Sequence, residues 1–274
     1  MKITNLFSLL GIASIIALSS CGGGEPEHTG PKYNFEKADS LPRGYLEELG
    51  IVKTNIEVTA KLYDHMNKMG YAFNESSMMS PSKSFSGSSK QAMGIGAIGS
   101  DLVYAAMFGQ NQSAMDRMKG LVSTAQSLGV GEAFDENLMS KMASDDTTIN
   151  KSVLLTKAYL KAKDQLFSDE RAQYATFMII GGWIEGMHLA TATLKTDIKD
   201  DETKIGFWEM VNSYESIVHL CAVFKNNQEM TALGERIKTL GPVLGPIKSN
   251  AKKYTVEQVQ ALAAEVDNLR NSTL

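Results

Sequence analysis

Glu185-Gly186-Met187-His188 is the pairing in this chain best suited to chemistry. Residues three apart share one face of a helix, so this carboxylate and imidazole could ligate one metal ion. Glu215 and His219 are four apart in a second apolar stretch and could face the first pair. Di-iron bundles, however, use two Glu-x-x-His motifs and two further glutamates. The second motif is missing here. A metal site built from Glu185, His188, Glu215 and His219 is therefore the minor expectation, and satisfied polar side chains are the major one. Four histidines in the whole chain are few for a metalloenzyme.

Asp101 falls among Gly99, Leu102, Tyr104 and Ala105, so its helix carries it toward a helix–helix contact. A buried carboxyl needs a partner. The Trp183 indole or a serine hydroxyl is the expected one, in preference to a catalytic role. Gly94, Gly96 and Gly99, with Gly181, Gly182 and Gly186, are unusual in helical sequence. Each costs about 1 kcal/mol relative to alanine in a helix interior. Close packing of two central helices at Gly96, Gly99, Gly182 and Gly186 explains the tolerance. A ligand approaching the same backbone is the second explanation.

Other chemistries leave no trace. There is no Gly-x-Gly-x-x-Gly after a strand, no phosphate-binding Walker loop, no Gly-x-Ser-x-Gly elbow and no His-Glu-x-x-His. The 27 basic residues face 31 acidic ones, a balance that provides no footprint for nucleic acid. The 15 methionines are spread along the chain, as in a helical core, and form no copper-binding tract.

The elements that must position these residues read as helices throughout, with no strand alternation. Nine segments stand out: 54–69, 91–109, 111–128, 134–142, 148–167, 168–194 with Ser168 as N-cap, 200–225 capped by Asp200-Asp201-Glu202, 228–240 stopped by Gly241-Pro242, and 255–269. Residues 74–89 are serine-rich and read as a mobile loop. The expected fold class is all-α, a bundle or array of eight to nine helices. A faint internal repeat places Ala106, Phe108, Asn111 and Gln112 in register with Ala222, Phe224, Asn227 and Gln228, which suggests two related αα-hairpins.

The N-terminus gives the address. Met1-Lys2 precedes an apolar run from Leu6 to Leu18, then Ser19, Ser20 and Cys21. That order marks a secretory leader, and the run is short of the roughly 20 apolar residues that span a bilayer. The expected organisation is a signal peptide over 1–20, a flexible tether over 21–40 and a single helical domain over 41–274. Only Cys21 could pair with Cys221, and if the Cys21 thiol is acylated Cys221 has no disulfide partner; it reads as a buried thiol in an apolar run.

Leu18-Ser19-Ser20-Cys21 resembles a bacterial lipobox. The resemblance implies cleavage before Cys21 and attachment of palmitate-class acyl chains there, enough for a stable membrane anchor. Glu25 and Glu27, soon after the cysteine, loosely resemble the acidic signals that direct some Bacteroidota lipoproteins to the cell surface. The run Ala92-Met93-Gly94-Ile95-Gly96-Ala97-Ile98-Gly99-Ser100-Asp101-Leu102-Val103-Tyr104-Ala105 is similar to one in a helical outer-membrane lipoprotein family of Bacteroidota. Gly181-Gly182-Trp183-Ile184-Glu185-Gly186-Met187 is similar to a second run of that family. Leu128-Gly129-Val130 and Ala133-Phe134-Asp135 fit between them, so the resemblance covers residues 40–225. It implies a helical fold and an outer-membrane address, periplasmic or surface-facing, and it carries no activity. An aromatic residue at the family position matching His188 argues against catalysis by that histidine. The function expected first is a non-enzymatic scaffold that binds an envelope protein and holds no cofactor beyond its lipid. A small-ligand or metal-binding lipoprotein using the Glu185/His188 region comes second.

Overall fold

Two helices of this chain are apolar on nearly every face, and the rest of the fold is built around them. The computed structural model describes residues 45–144, 146, 149–168 and 171–274, of which 45–55, 143 and 152 are described as helical backbone alone. Cys21 and the segments read from sequence as leader and tether lie outside the described residues. Among the described residues there are eleven α-helices and no strand. They are α1 (Tyr45–Lys68), α2 (Ser88–Met107), α3 (Asn111–Leu128), α4 (Glu136–Ala143), α5 (Lys151–Ser168), α6 (Ala172–Leu194), α7 (Asp201–Asn212), α8 (Tyr214–Val223), α9 (Gln228–Lys238), α10 (Gly241–Lys248) and α11 (Val256–Thr273). The described residues all belong to one compact unit.

Helices α2 and α6 form the axis and share the most extensive helix–helix contact. A helix buried on all faces has no polar side to give to water, and α2 is buried almost continuously from Ala92 to Ala105. The other helices ring this pair. Helix α3 packs on α2, α5 and α11 pack on α6, α1 lies against α7 and α8, and α10 joins α7 to α11. Met93, Met118, Met178, Met187, Met210 and Met230 all fill the core.

Two additional helix starts raise the nine-segment reading to eleven helices. The 200–225 segment breaks at Ser213, whose hydroxyl donates to the Met210 carbonyl. A serine that bonds its own backbone competes with helix continuation. Gly241-Pro242 opens α10, where a stop was expected. Proline is tolerated in a first turn because the N–H it lacks has no helical partner there. Ser168 is the last residue of α5 and not the N-cap of α6, and Arg171 takes the flanking position. Elsewhere the capping chemistry is local: Asp200 accepts from the Thr203 amide, and Thr255 and Gln258 form a reciprocal capping box. Gly129, at φ +82°, closes α3 in the left-handed conformation. Both hairpins of the faint repeat exist as helix pairs, α2–α3 and α8–α9. Their aligned asparagines differ in role, however, since Asn227 caps α9 whereas Asn111 lies inside α3.

Candidate functional site

Glycine sets how closely α2 and α6 approach. A Cβ placed on Gly96 would lie 1.8 Å from the Met178 carbonyl oxygen, and one on Gly181 would lie 2.1 Å from that of Met93. Gly182 is looser, with its nearest atom, the Gly96 oxygen, 3.3 Å from such a Cβ. Gly99 makes room for the Tyr159 hydroxyl, and Gly186 for the tip of Met210. The seam is cross-tied by side chains. Ser100 Oγ donates to the Gly182 carbonyl at 2.7 Å and Tyr63 donates to that of Gly186 at 3.0 Å. Tyr159 reaches the carbonyls of Ile95 and Gly96.

Four helices deliver polar groups to one end of this seam. Glu185 on α6 is fully buried. Arg270 on α11 binds it with two donors, Nε to Oε2 at 2.6 Å and Nη2 to Oε1 at 2.7 Å. Partial burial works against the guanidinium charge, but the Glu185 bonds outweigh it and raise the Arg270 pKa. Asp101 on α2 is also fully buried. Burial first, and the Glu185 carboxyl beside it second, hold its pKa well above the ordinary carboxylate value. His188, one turn beyond Glu185, contacts Asp267 Oδ1 through Nδ1 at 2.6 Å and the Ser77 carbonyl through Nε2 at 2.9 Å.

These groups close on the segment 74–79. The Met79 amide donates to Asp101 Oδ2 at 3.0 Å, and the Asn74 amide donates to the Tyr104 hydroxyl. Buried Arg117 on α3 binds Glu75 at 3.2 Å and the Met79 carbonyl at 3.3 Å. Residues 74–79, read from sequence as part of a mobile loop, are thus fastened to α2, α3, α6 and α11. Serine content indicates a turn, but it carries no information about buried partners supplied by distant helices.

The candidate metal ligands are not assembled as the spacing suggested. Glu215 and His219 are exposed on α8, and Glu215 pairs with Lys248 at 2.5 Å. Among the described residues no group of three or more His, Cys, Asp or Glu side chains could hold a metal ion. The expected contact between Asp101 and the Trp183 indole or a serine hydroxyl is also absent. Trp183 Nε1 donates instead to Ser213 Oγ at 2.8 Å. Trp183 and Glu185 are two residues apart on α6, so they point about 200° apart around it, and Asp101 lies on the Glu185 side. The residues that sequence reasoning missed are Arg117, Arg270 and Asp267. Arg117 and Arg270 could have been found. Each occupies a core position in the apolar period of its helix, Arg117 between Ala114 and Leu121, and Arg270 between Val266 and Thr273.

A small apolar cleft of about 70 Å³ opens along the seam, lined by Gly96, Gly99, Val103, Tyr159, Gly182 and Trp183 among others. Ligand pockets usually measure roughly 300–1,000 Å³, so this cleft has room for only a small apolar group.

Cys221 is buried, and burial pushes its thiol up to about 12. Thiol reagents are expected to label it very slowly in the folded domain at neutral pH and quickly once denaturant is added. Fast labelling under native conditions would contradict this burial.

The chain matches no protein-family model, no curated protein sequence and no solved structure.

Proposed function

We propose that this protein is a lipid-anchored bacterial envelope protein whose helical domain works by binding a partner protein and not by catalysis. The supporting observation is how the buried polar centre is used. Glu185 is matched to Arg270, His188 to Asp267 and Ser77, and Arg117 to Glu75 and Met79. Groups held in this way are committed to positioning backbone. The lipobox over Leu18–Cys21 and the likeness to outer-membrane lipoproteins of Bacteroidota support the address.

Two measurements test the reading. Metabolic labelling with an alkyne fatty acid should tag the wild-type chain and not Cys21→Ala. Cross-linking in intact cells should trap one defined envelope protein, and repeated failure to trap any would refute the binding role. Protease added to intact cells then separates a surface address from a periplasmic one.

A second reading, a carrier of a small apolar ligand, is favoured by the cleft at Gly96 and Gly182. It predicts a co-purifying apolar compound that is lost when Val103→Phe fills the space.

A further inference from the structure

Residues 74–89 are rich in serine, and the fastening of 74–79 accounts for only part of that richness. The next stretch, 80–87, lies beside α3 and leaves a groove of about 360 Å³, within the roughly 300–1,000 Å³ of ligand pockets. Two glycines set its walls. The Phe85 ring sits where a Cβ on Gly94 would be only 2.5 Å away, and the Pro81 carbonyl oxygen would be 3.1 Å from a Cβ on Gly120. The stretch is thus seated on α2 and α3 at once, and Arg117 holds the Met79 carbonyl at its entrance. A groove formed in advance spares its ligand the cost of ordering it.

Apart from Pro81, Phe85 and Gly120, the lining is polar. Lys119, Ser123 and Ser127 follow one another at four-residue steps, so one face of α3 lines the groove. Lys83 and Ser84 come from the opposite wall, and Gln91 comes from α2. Among the described residues no carboxylate lines the groove, although the chain as a whole carries a net charge of −4. Lys83 makes no ion pair among the described residues, and its ammonium lies 5.9 Å from the centre of the Phe85 ring. Lys119 pairs with Asp116 at 3.1 Å, but both are open to solvent. Such exposed pairs contribute little and exchange readily.

The uncharged groups offer both donors and acceptors. Thr124 and Ser127 give their protons to the carbonyls of Gly120 and Ser123, and a hydroxyl so bonded still accepts. The side chains of Ser84, Ser123 and Gln91 make no hydrogen bond among the described residues, so each can do both.

We propose that this groove binds a phosphorylated sugar. The ammonium groups of Lys83 and Lys119 match a phosphate ester, which carries close to two negative charges at neutral pH. The hydroxyls and the Gln91 amide match sugar hydroxyls, which likewise donate and accept. Pro81 and Phe85 give apolar surface to the C–H face of the sugar ring. Bare phosphate would leave the acceptors idle, and a neutral sugar would leave the cations idle. The groove shares no lining residue with the apolar cleft of the α2–α6 seam, and it does not depend on the protein-binding reading.

Titration of the whole protein with glucose 6-phosphate, followed by backbone amide shifts and calorimetry, tests this. Saturable binding is expected, with the shifts centred on 80–91 and 119–127. Glucose and inorganic phosphate should each bind at least tenfold more weakly. The double variant Lys83→Met/Lys119→Met should keep the wild-type melting temperature, because both lysines are exposed, and should lose at least tenfold in affinity. No saturation by about 10 mM, shifts centred elsewhere, equal affinity for either half of the ligand, or an unweakened double variant overturns the proposal. If the double variant does not fold, the wild-type chain decides. Raising salt from about 0.05 M to about 0.5 M should then weaken binding at least fivefold, and a salt-independent affinity overturns it. Vesicles of phosphatidylinositol, with phosphatidylcholine vesicles as the blank, separate the two sources of this chemistry. Displacement of glucose 6-phosphate by the former assigns the site to a lipid headgroup, and its retention assigns the site to a free sugar phosphate.

Discussion

Gly96→Ala is expected to lose more than about 3 kcal/mol of stability, at the upper end of overpacking costs. In a domain of this size that lowers the melting temperature by on the order of 10 °C. The added Cβ would sit 1.8 Å from the Met178 oxygen and 2.6 Å from the Gly182 nitrogen. Both obstacles are backbone, so no side chain can swing aside and α2 must separate from α6. Alanine's better helix propensity, about 1 kcal/mol, does not offset this. Two comparisons make the test specific. Gly182→Ala meets its nearest atom at 3.3 Å and should cost far less, whereas Gly245→Ala in α10 meets nothing within 4 Å. The latter should be neutral or gain up to about 1 kcal/mol. Urea unfolding of the three variants gives the order. A Gly96→Ala curve that overlies wild type would mean the helices do not meet there.

Arg270→Met is expected to be comparably damaging, by about 3–5 kcal/mol, because it leaves a buried carboxylate unpaired. Glu185 is fully buried and Arg270 contacts both of its oxygens. The sign with pH follows. The orphaned Glu185 can shed its charge by taking up a proton, so the deficit of Arg270→Met should narrow as pH falls. Adding Glu185→Met should recover most of the loss, since replacing a buried pair with apolar residues is often neutral. Denaturation at neutral and acid pH measures both effects. A deficit that stays constant with pH would show that the loss is one of packing and not of charge.

The two predictions rest on features of unequal legibility. The glycines were visible because six of them in two helical runs contradict helix propensity, and propensity is a local property. Their ranking was not visible. Gly181 is nearly as tight as Gly96, while Gly182 has more room, and that depends on the rotation of α6 against α2. Glu185 was visible as a carboxylate in an apolar helix. Its partner was not, because Arg270 lies 85 residues further along the chain. Pairing Glu185 with His188, Glu215 and His219 was reasonable from spacing, yet α8 turns its two residues to solvent. The break at Ser213 and the start at Pro242 show a related limit: a serine or a Gly-Pro pair marks a punctuation point without fixing whether a helix ends or begins there.

By itself the sequence determined the helical class, most helix positions, the buried character of Cys221 and the expectation of a cleaved leader followed by a lipidated Cys21. These follow from periodicity, capping and composition, which act over a few residues. Tertiary structure alone decided that the two most chemically suggestive carboxyls, Asp101 and Glu185, would meet, that an arginine from the last helix would neutralise one of them, and that a serine-rich loop would be fastened over them. Such choices depend on which faces of distant helices meet, because a buried charge takes its partner from whatever the fold places within hydrogen-bond reach.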